Sequence, residues 1–316
     1  MRVVSHVAKL AADLEWSEDD LGRALGIDPR SAQKLITDTK WELRRETLHK
    51  LLLLGFHHGF ERGVFEVRHH ELWDTFKAAE ATIYRADLTW DSRVETSIRE
   101  FLAHLECAST IASAAQTQEE ICETMRTRNC IFVGSPKANS ATEVALTLLD
   151  GAQPFDPGQA NRERVTVTLI GRSERHRDGQ SAVLSPGSSC AILLRVPARR
   201  TPIRVKVDWL LDEDFKGPGR TGQDAAAVVV CRKPLNAEAQ VTTIVICGYS
   251  GLATHQAADD LMHGEPPITL EQLDRGGTPI PLVYTFQYKK RAFRGGRSLD
   301  ALKSVVPKSG QWMPPW

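Results

Sequence analysis

No stretch of this chain approaches the roughly 18 consecutive apolar residues that a membrane-spanning helix requires, so a membrane protein is not expected. Net charge is absent too. Forty Lys and Arg offset forty Asp and Glu, and the overall field therefore favours neither nucleic acid nor an anionic bilayer. Cysteine is sparse: Cys107, Cys122, Cys130, Cys190, Cys231 and Cys247 include no C-x-x-C pair. Cys130, Cys231 and Cys247 sit in or beside apolar β-type runs, where a reduced thiol acts as a small hydrophobe. No disulfide framework is implied, and cytoplasm is the expected compartment. The opening "MRVVSHVAKLAADLEW" has no uninterrupted apolar core and no small-residue cleavage site, unlike a signal peptide. Internal repeats are missing, and no low-complexity tract precedes the final "KSGQWMPPW". That ending could dock as an extended Pro-rich peptide, be disordered or pack locally.

What is present suits a soluble globular protein, with 41% hydrophobic and 25% charged residues. A length of 316 residues allows one large domain or two ordinary ones. The stretch "SEDDLGRALGIDPRSAQKL" holds two short amphipathic runs around Gly26. Ser17 with Asp20 makes an N-cap signal, and Leu21, Ala24 and Leu25 form the apolar stripe behind it. Gly26 permits a sharp turn, and Asp28–Pro29 is an N-cap and first-position pair for a second helix. There Ala32, Leu35 and Ile36 should face inward, leaving Arg30, Ser31, Gln33, Lys34 and Thr37 outside. A further helix, "RRETLHKLLLLG", supplies Leu48, Leu51 and Leu52 to the core.

"WSEDDLGRALGIDPRSAQKLI" followed by "ETLHKLLLLG" resembles the Cro/repressor-type (XRE) helix-turn-helix family over about residues 5–58, with Glu18 where that family often carries a phosphate-contacting Gln. The resemblance implies double-stranded DNA as partner, a recognition helix opening at Pro29, and a homodimer placing two such helices in successive major grooves. The expected DNA-binding residues are Arg30, Ser31, Gln33, Lys34, Thr37, Lys40, Arg44 and Arg45. Seven basic residues between Ser17 and Lys50 face seven acidic ones, so only local clustering could provide phosphate contacts. A protein-interaction unit of the same shape is the alternative.

Past the Gly-rich "GFHHGFERG" the pattern changes. "ATIYRAD", "STIAS" and "NCIFVG" read as strands, separated by the helical "DSRVETSIREFLAHLE" and "TQEEICETMRTR" and followed by the helical "SATEVALTLLDG". Strands alternating with helices argue for a Rossmann-like, mostly parallel α/β sheet. Its second half is β-rich, from "RVTVTLIG" to "LVYTFQYKK", with one late helix "LATHQAADDLMHG". Stretches 172–189 and 212–224 read as exposed loops. The expected fold class is thus α + α/β: a helix-turn-helix domain at 1–62, a linker at 63–79, a Rossmann-like ligand-sensing domain at 80–306 and a tail at 307–316.

Two strand-to-helix turns, "CIFVGSPKANSATEVAL" and "VTTIVICGYSGLATHQAADDL", place small and hydroxyl residues at helix starts, where free amides and the dipole favour an anion. Ser135, Lys137, Asn139, Ser140, Ser250, Gly251 and Thr254 are the expected contacts for a phosphate-bearing, nucleotide-like ligand at the carboxyl edge of the sheet. Gly and Ser are equally ordinary turn residues. "GSPKANSATEVALTLL" is also similar to the strand–loop–helix of nucleoside deoxyribosyltransferases and TIR-type NAD-cleaving domains. That similarity implies an alternative, an N-glycosidase with Glu143 as catalytic residue and Asp87 or Asp91 as second carboxylate, against Glu143 as a solvated surface residue. Asn139 stands where those families usually carry an acidic residue. No metal is expected at His57–His58 or His69–His70, since neighbouring histidines diverge and lack i, i+4 spacing. His255 is better placed, though most simply a capping or surface group. No nucleophile elbow, P-loop or G-x-G-x-x-G occurs, and no cofactor is expected.

Overall fold

The computed structural model describes residues 2–37, 45–58, 65–86, 89–112, 116–136, 138–150, 166–170, 174–175, 181–182, 191–195, 201, 203–207, 221–290, 305–307 and 310–313. The chain divides into two units, Met1–His70 and Glu71–Trp316. Among the described residues no helix is long and apolar enough to cross a membrane.

The first unit holds helices α1 (Val7–Asp13), α2 (Glu18–Leu25), α3 (Pro29–Thr37) and α4 (Arg45–His57) between the strands β1 (Arg2–Ser5) and β2 (Phe65–Arg68). The two strands pair antiparallel, Arg2 opposite Arg68 and Ser5 opposite Phe65. Ser17 and Asp20 close a full capping box at the start of α2, satisfying amides the helix itself leaves open. Gly26 ends α2 in the left-handed region (φ 70°), where a side chain would be strained. The Lys50 ammonium donates to the Leu25 carbonyl at 3.1 Å, adding a cation at the negative end of α2. Val7, Leu10, Ala11, Leu21, Leu25, Ala32, Leu35 and Leu51 form the core. Ala24 and Leu52, expected to face inward, are exposed. The buried stripe of α4 runs from Leu51 to the half-buried Leu54, a three-residue step that leaves Leu52 a helical turn's fraction off the face.

The second unit opens with a 3-10 helix, Glu71–Phe76, then continues as β3 (Glu80–Arg85), α5 (Thr89–His104), β4 (Ala108–Ala112), α6 (Gln118–Thr127), β5 (Asn129–Val133) and α7 (Ser140–Asp150). Short strands follow: β6 (Thr166–Ile170), β7 (Glu174–Arg175), β8 (Ser181–Ala182), β9 (Ala191–Arg195) and β10 (Ile203–Lys206). The chain ends with β11 (Thr221–Arg232), β12 (Thr242–Gly248), α8 (Gly251–His263), α9 (Leu270–Asp274), β13 (Ile280–Lys290), β14 (Val305–Pro307) and β15 (Gln311–Trp312). The main sheet has the order β14-β13-β11-β12-β5-β3-β4, with β15 also on β13.

This sheet is mixed rather than mostly parallel. β4, β3, β5 and β12 run parallel, but β11 is antiparallel to both β12 and β13. The reason is the connection. Only residues 233–241 separate β11 from β12, and a parallel pair needs a crossover of a dozen residues or more. The longer link through α8 and α9 returns β13 in the same direction as β12, with β11 between them.

Both faces of the sheet are covered, which is why β5 and β12 are buried along their whole lengths. One face packs Ile83, Ile131, Val133 and Ile246 against Val94, Ile98 and Leu102 of α5 and Leu252, Ala257 and Leu261 of α8. The other sets Tyr84, Phe132 and Val245 against Ile121 and Met125 of α6 and Ala145 and Leu146 of α7. The antiparallel sheet β10-β9-β6 adds Val167, Ile192, Leu194 and Val205 to that second core.

Two further expectations are corrected, and the tail takes the locally packed form, one of those offered for it. Residues 71–79 are no linker: Leu72, Trp73 and Phe76 are fully buried, and the Trp73 indole donates to the Leu261 carbonyl at 3.1 Å. The tail is partly structured, with Trp312 opposite Tyr284 and the Met313 amide donating to the Val283 carbonyl at 2.9 Å. Thr221–Asp224, read as loop, opens β11; residues 212–220 lie outside the described residues, as does most of 172–189.

Candidate functional site

The parallel strands β3, β5 and β12 end together at Arg85, Val133 and Gly248. The chain leaves β3 through α5 for β4 on one side, whereas β5 and then β12 lie on the other side of β3. Strand order therefore reverses between β3 and β5, and such a reversal opens a crevice at the carboxyl edge of an α/β sheet.

Asn139 lies buried between these strand ends. Its carboxamide donates to the Tyr84 carbonyl (3.3 Å) and the Val133 carbonyl (2.9 Å), joining the ends of β3 and β5. Its oxygen accepts the Ala141 amide at 3.0 Å and so caps α7. The side chain is fully buried. Asn139 was expected to contact ligand; its polar groups instead hold the fold together.

Asp91, in the first turn of α5, lies over Gly134, where a Cβ would come within 2.8 Å of a carboxylate oxygen. Gly134 has φ 104°, so both its backbone angle and this approach call for glycine. Asp91 is only 3% exposed. One turn further, buried Glu95 meets the Arg85 guanidinium at 3.3 Å and that of Arg99 at 3.4 Å. A buried carboxyl group thus stands beside the turn expected to attract anions, so a ligand's hydroxyl or amino group suits that point better than its phosphate.

The β12–α8 turn is likewise self-satisfied. Ser250 caps α8 by accepting the Ala253 amide, and its hydroxyl donates to the buried Asp224 at 2.5 Å. Thr254 accepts the Gly248 amide at 3.0 Å and donates to the Ser250 carbonyl at 3.2 Å. Both hydroxyls were expected to meet ligand and are engaged within the turn. Gly251 is half-buried at the start of α8. On the other turn Ser135 is buried with its carbonyl accepting the Ala138 and Asn139 amides, Ser140 is exposed, and Glu143 is half-buried one turn into α7. Lys137 and Asp87 lie outside the described residues. Burial holds the His255 imidazole below its usual pKa, with Asp259 pulling it up and Arg93 pushing it down.

In the first unit α3 presents Arg30, Gln33, Lys34 and Thr37 to solvent, while Ala32 and Leu35 anchor its other side. Ser31 is committed to the helix start: its amide and hydroxyl donate to the two Asp28 oxygens at 3.0 and 2.6 Å. That pairing holds the Asp28 carboxyl below its ordinary pKa. Lys40 and Arg44 lie outside the described residues, and Arg45 opens α4.

Asp224, Glu95 and Arg85 were not anticipated. Asp224 falls in a polar stretch whose strand character appears only through pairing with β13. The Arg85–Glu95 pair spans a strand end and the next helix, which no local spacing rule connects. No protein-family model matches the chain, and comparisons with curated proteins and with solved structures return no significant match.

Proposed function

We propose that the protein is a DNA-binding transcriptional regulator of cytoplasmic location, its second unit sensing a small nucleotide-like ligand. The observation that carries this is α3 itself. A three-residue turn, Gly26 to Asp28, separates it from α2, and its outer face offers Arg30, Gln33, Lys34 and Thr37 unobstructed by the rest of its unit. That is the layout a helix-turn-helix uses to lay its second helix in a major groove. With so few cations, one copy would hold DNA weakly, so the functional form is a homodimer contacting two half-sites.

In the second unit, the crevice between β3 and β5 is the place for the ligand. Asp91 would take a sugar-like hydroxyl of that ligand beside Gly134. Ligand changes DNA occupancy only through unequal affinity for two dimer arrangements. A second reading, N-glycosidase chemistry at Glu143, draws on the same Asp91 at the same strand edge. Incubating the protein and a Glu143→Gln variant with NAD and nucleosides tests it, and turnover by the parent alone is the supporting result.

The regulator is tested with full-length protein on sheared genomic DNA, beside the double variant Arg30→Ala, Lys34→Ala. Parent protein is expected to enrich discrete fragments, and the variant to lose them at an unchanged melting temperature. The salt dependence of residual binding should fall by about two counterions. Undiminished binding by the variant, or no binding by the parent at low salt, refutes the proposal.

A further inference from the structure

The two lateral edges of the main sheet are built differently. At one, β14 is three residues long and contains Pro307, with Lys303 and Lys308 close by in sequence. Short length, proline and lysine are the devices by which edge strands avoid pairing with other chains. At the other edge, β4 carries Ala108, Ser109, Thr110, Ile111 and Ala112, and its one neighbour among the described residues is β3. No charged residue occurs between Glu106 and Glu119, and no proline either. Ile111 is 44% exposed on this strand.

The hydrogen-bonding sense of β4 can be read from one contact. The Ala108 amide donates to the Ala79 carbonyl at 2.9 Å, so the main-chain groups of Ala108, Thr110 and Ala112 turn toward β3. Those of Ser109 and Ile111 therefore turn outward, where among the described residues no strand pairs with them. We propose that β4 is the seam of a homodimer, in which two copies of this strand pair antiparallel about a two-fold axis at Thr110.

The geometry closes on itself. With Thr110 opposite Thr110 of the second copy, Ser109 stands opposite Ile111 of that copy, and the reverse. Ser109 and Ile111 are the residues whose N–H and C=O groups face out, so each such pair exchanges both main-chain bonds. Thr110, whose own groups serve β3, falls at the non-hydrogen-bonded position, where opposed Cα atoms sit at about 4.5 Å. A strand with charges would repel its own copy across this axis; here no like charges meet. Uncharged self-complementarity selects a second copy over a foreign strand, and an isologous contact of this kind ends at two subunits. The seam stands independently of DNA binding, and hydrodynamic measurement separates the two.

Sedimentation of the full chain over a dilution series tests the proposal. A dimer is expected, weakened by at least about tenfold in Ser109→Pro and in Ile111→Lys. The first removes an outward amide that β3 does not use, and the second adds a cation to each copy at the axis. Unchanged circular dichroism establishes that these variants fold. In a third variant, Thr110→Cys, mild oxidation should produce a covalent dimer well beyond what the native thiols yield in parent protein. This decides the matter should the other two not fold. A parent that stays monomeric, a dimer surviving both edge variants, or a dimer that Thr110→Cys does not cross-link overturns the proposal.

Discussion

Replacing Asn139 separates a structural clip from a ligand contact. Asn139→Ala removes the N-cap of α7, a loss of about 1 kcal/mol. It also removes two donations to the carbonyls of Tyr84 and Val133, each worth about 1 kcal/mol net. The expected destabilisation is therefore about 3 kcal/mol. For a unit running from Glu71 to Trp316, that corresponds to a fall in Tm of roughly 6–12 °C. Scanning calorimetry, which resolves the transitions of the two units, is the suitable assay. Asn139→Asp sharpens the test because it keeps the shape and exchanges donors for a buried carboxylate facing two carbonyl oxygens. Such a carboxyl has a folded pKa raised above its unfolded value, so its proton is held more tightly in the native state. The variant should approach parent stability below about pH 4, the unfolded carboxyl range, and fall behind as pH rises through the raised value. A ligand contact would behave otherwise, losing affinity with little change in melting. A fall in Tm of less than about 2 °C for Asn139→Ala, or a Tm gap for Asn139→Asp that is flat with pH, refutes the clip.

Two further outcomes are expected. A Cβ at position 248 would come within 2.2 Å of the Thr254 amide nitrogen and 2.5 Å of the Ser250 carbonyl, both backbone atoms that cannot swing aside. Gly248→Ala should cost about 1–3 kcal/mol, and a calorimetric Tm within about a degree of the parent's would count against this turn. In the first unit, hydrogen bonds from Ser31 hold the Asp28 carboxyl below its ordinary pKa, as those from Ser17 hold Asp20. A depressed folded value means support for α2 and α3 that is present above the unfolded carboxyl pKa and disappears as pH falls through the folded one. Carbon-detected NMR titration should find both midpoints below about 3.9, with Asp28 returning toward that value in Ser31→Ala; an unmoved midpoint would dismiss the pairing.

Much of the architecture could be read locally. Ser17 with Asp20 marked a helix start that the structure closes as a capping box. The apolar run of β5 marked a strand, and its burial on both faces accounts for the missing polar alternation. What escaped depended on distance along the chain. The antiparallel placement of β11 follows from which strands it lies between, and nothing within "AAAVVVC" encodes that choice. Asn139 looked like a ligand residue because its chemistry suits one. Its actual acceptor at Tyr84 lies 55 positions away. Ser250 and Thr254 are engaged within their own turn for a related reason: a hydroxyl that can cap a ligand's phosphate can also cap its own helix.

The hydrophobic bolt at the head of the second unit sets where the chain can be divided. Trp73 sits against Phe76 and Phe101, ring centres 5.2 and 4.8 Å away, and reaches the last turns of α8 from 188 positions earlier. A protein cut at the first parallel strand would lose three large apolar side chains that are wholly enclosed, each worth about 1.5–3 kcal/mol of burial. Any recombination or proteolysis that leaves a folded second unit behind must therefore fall ahead of Glu71, before the chain commits those side chains to the interior.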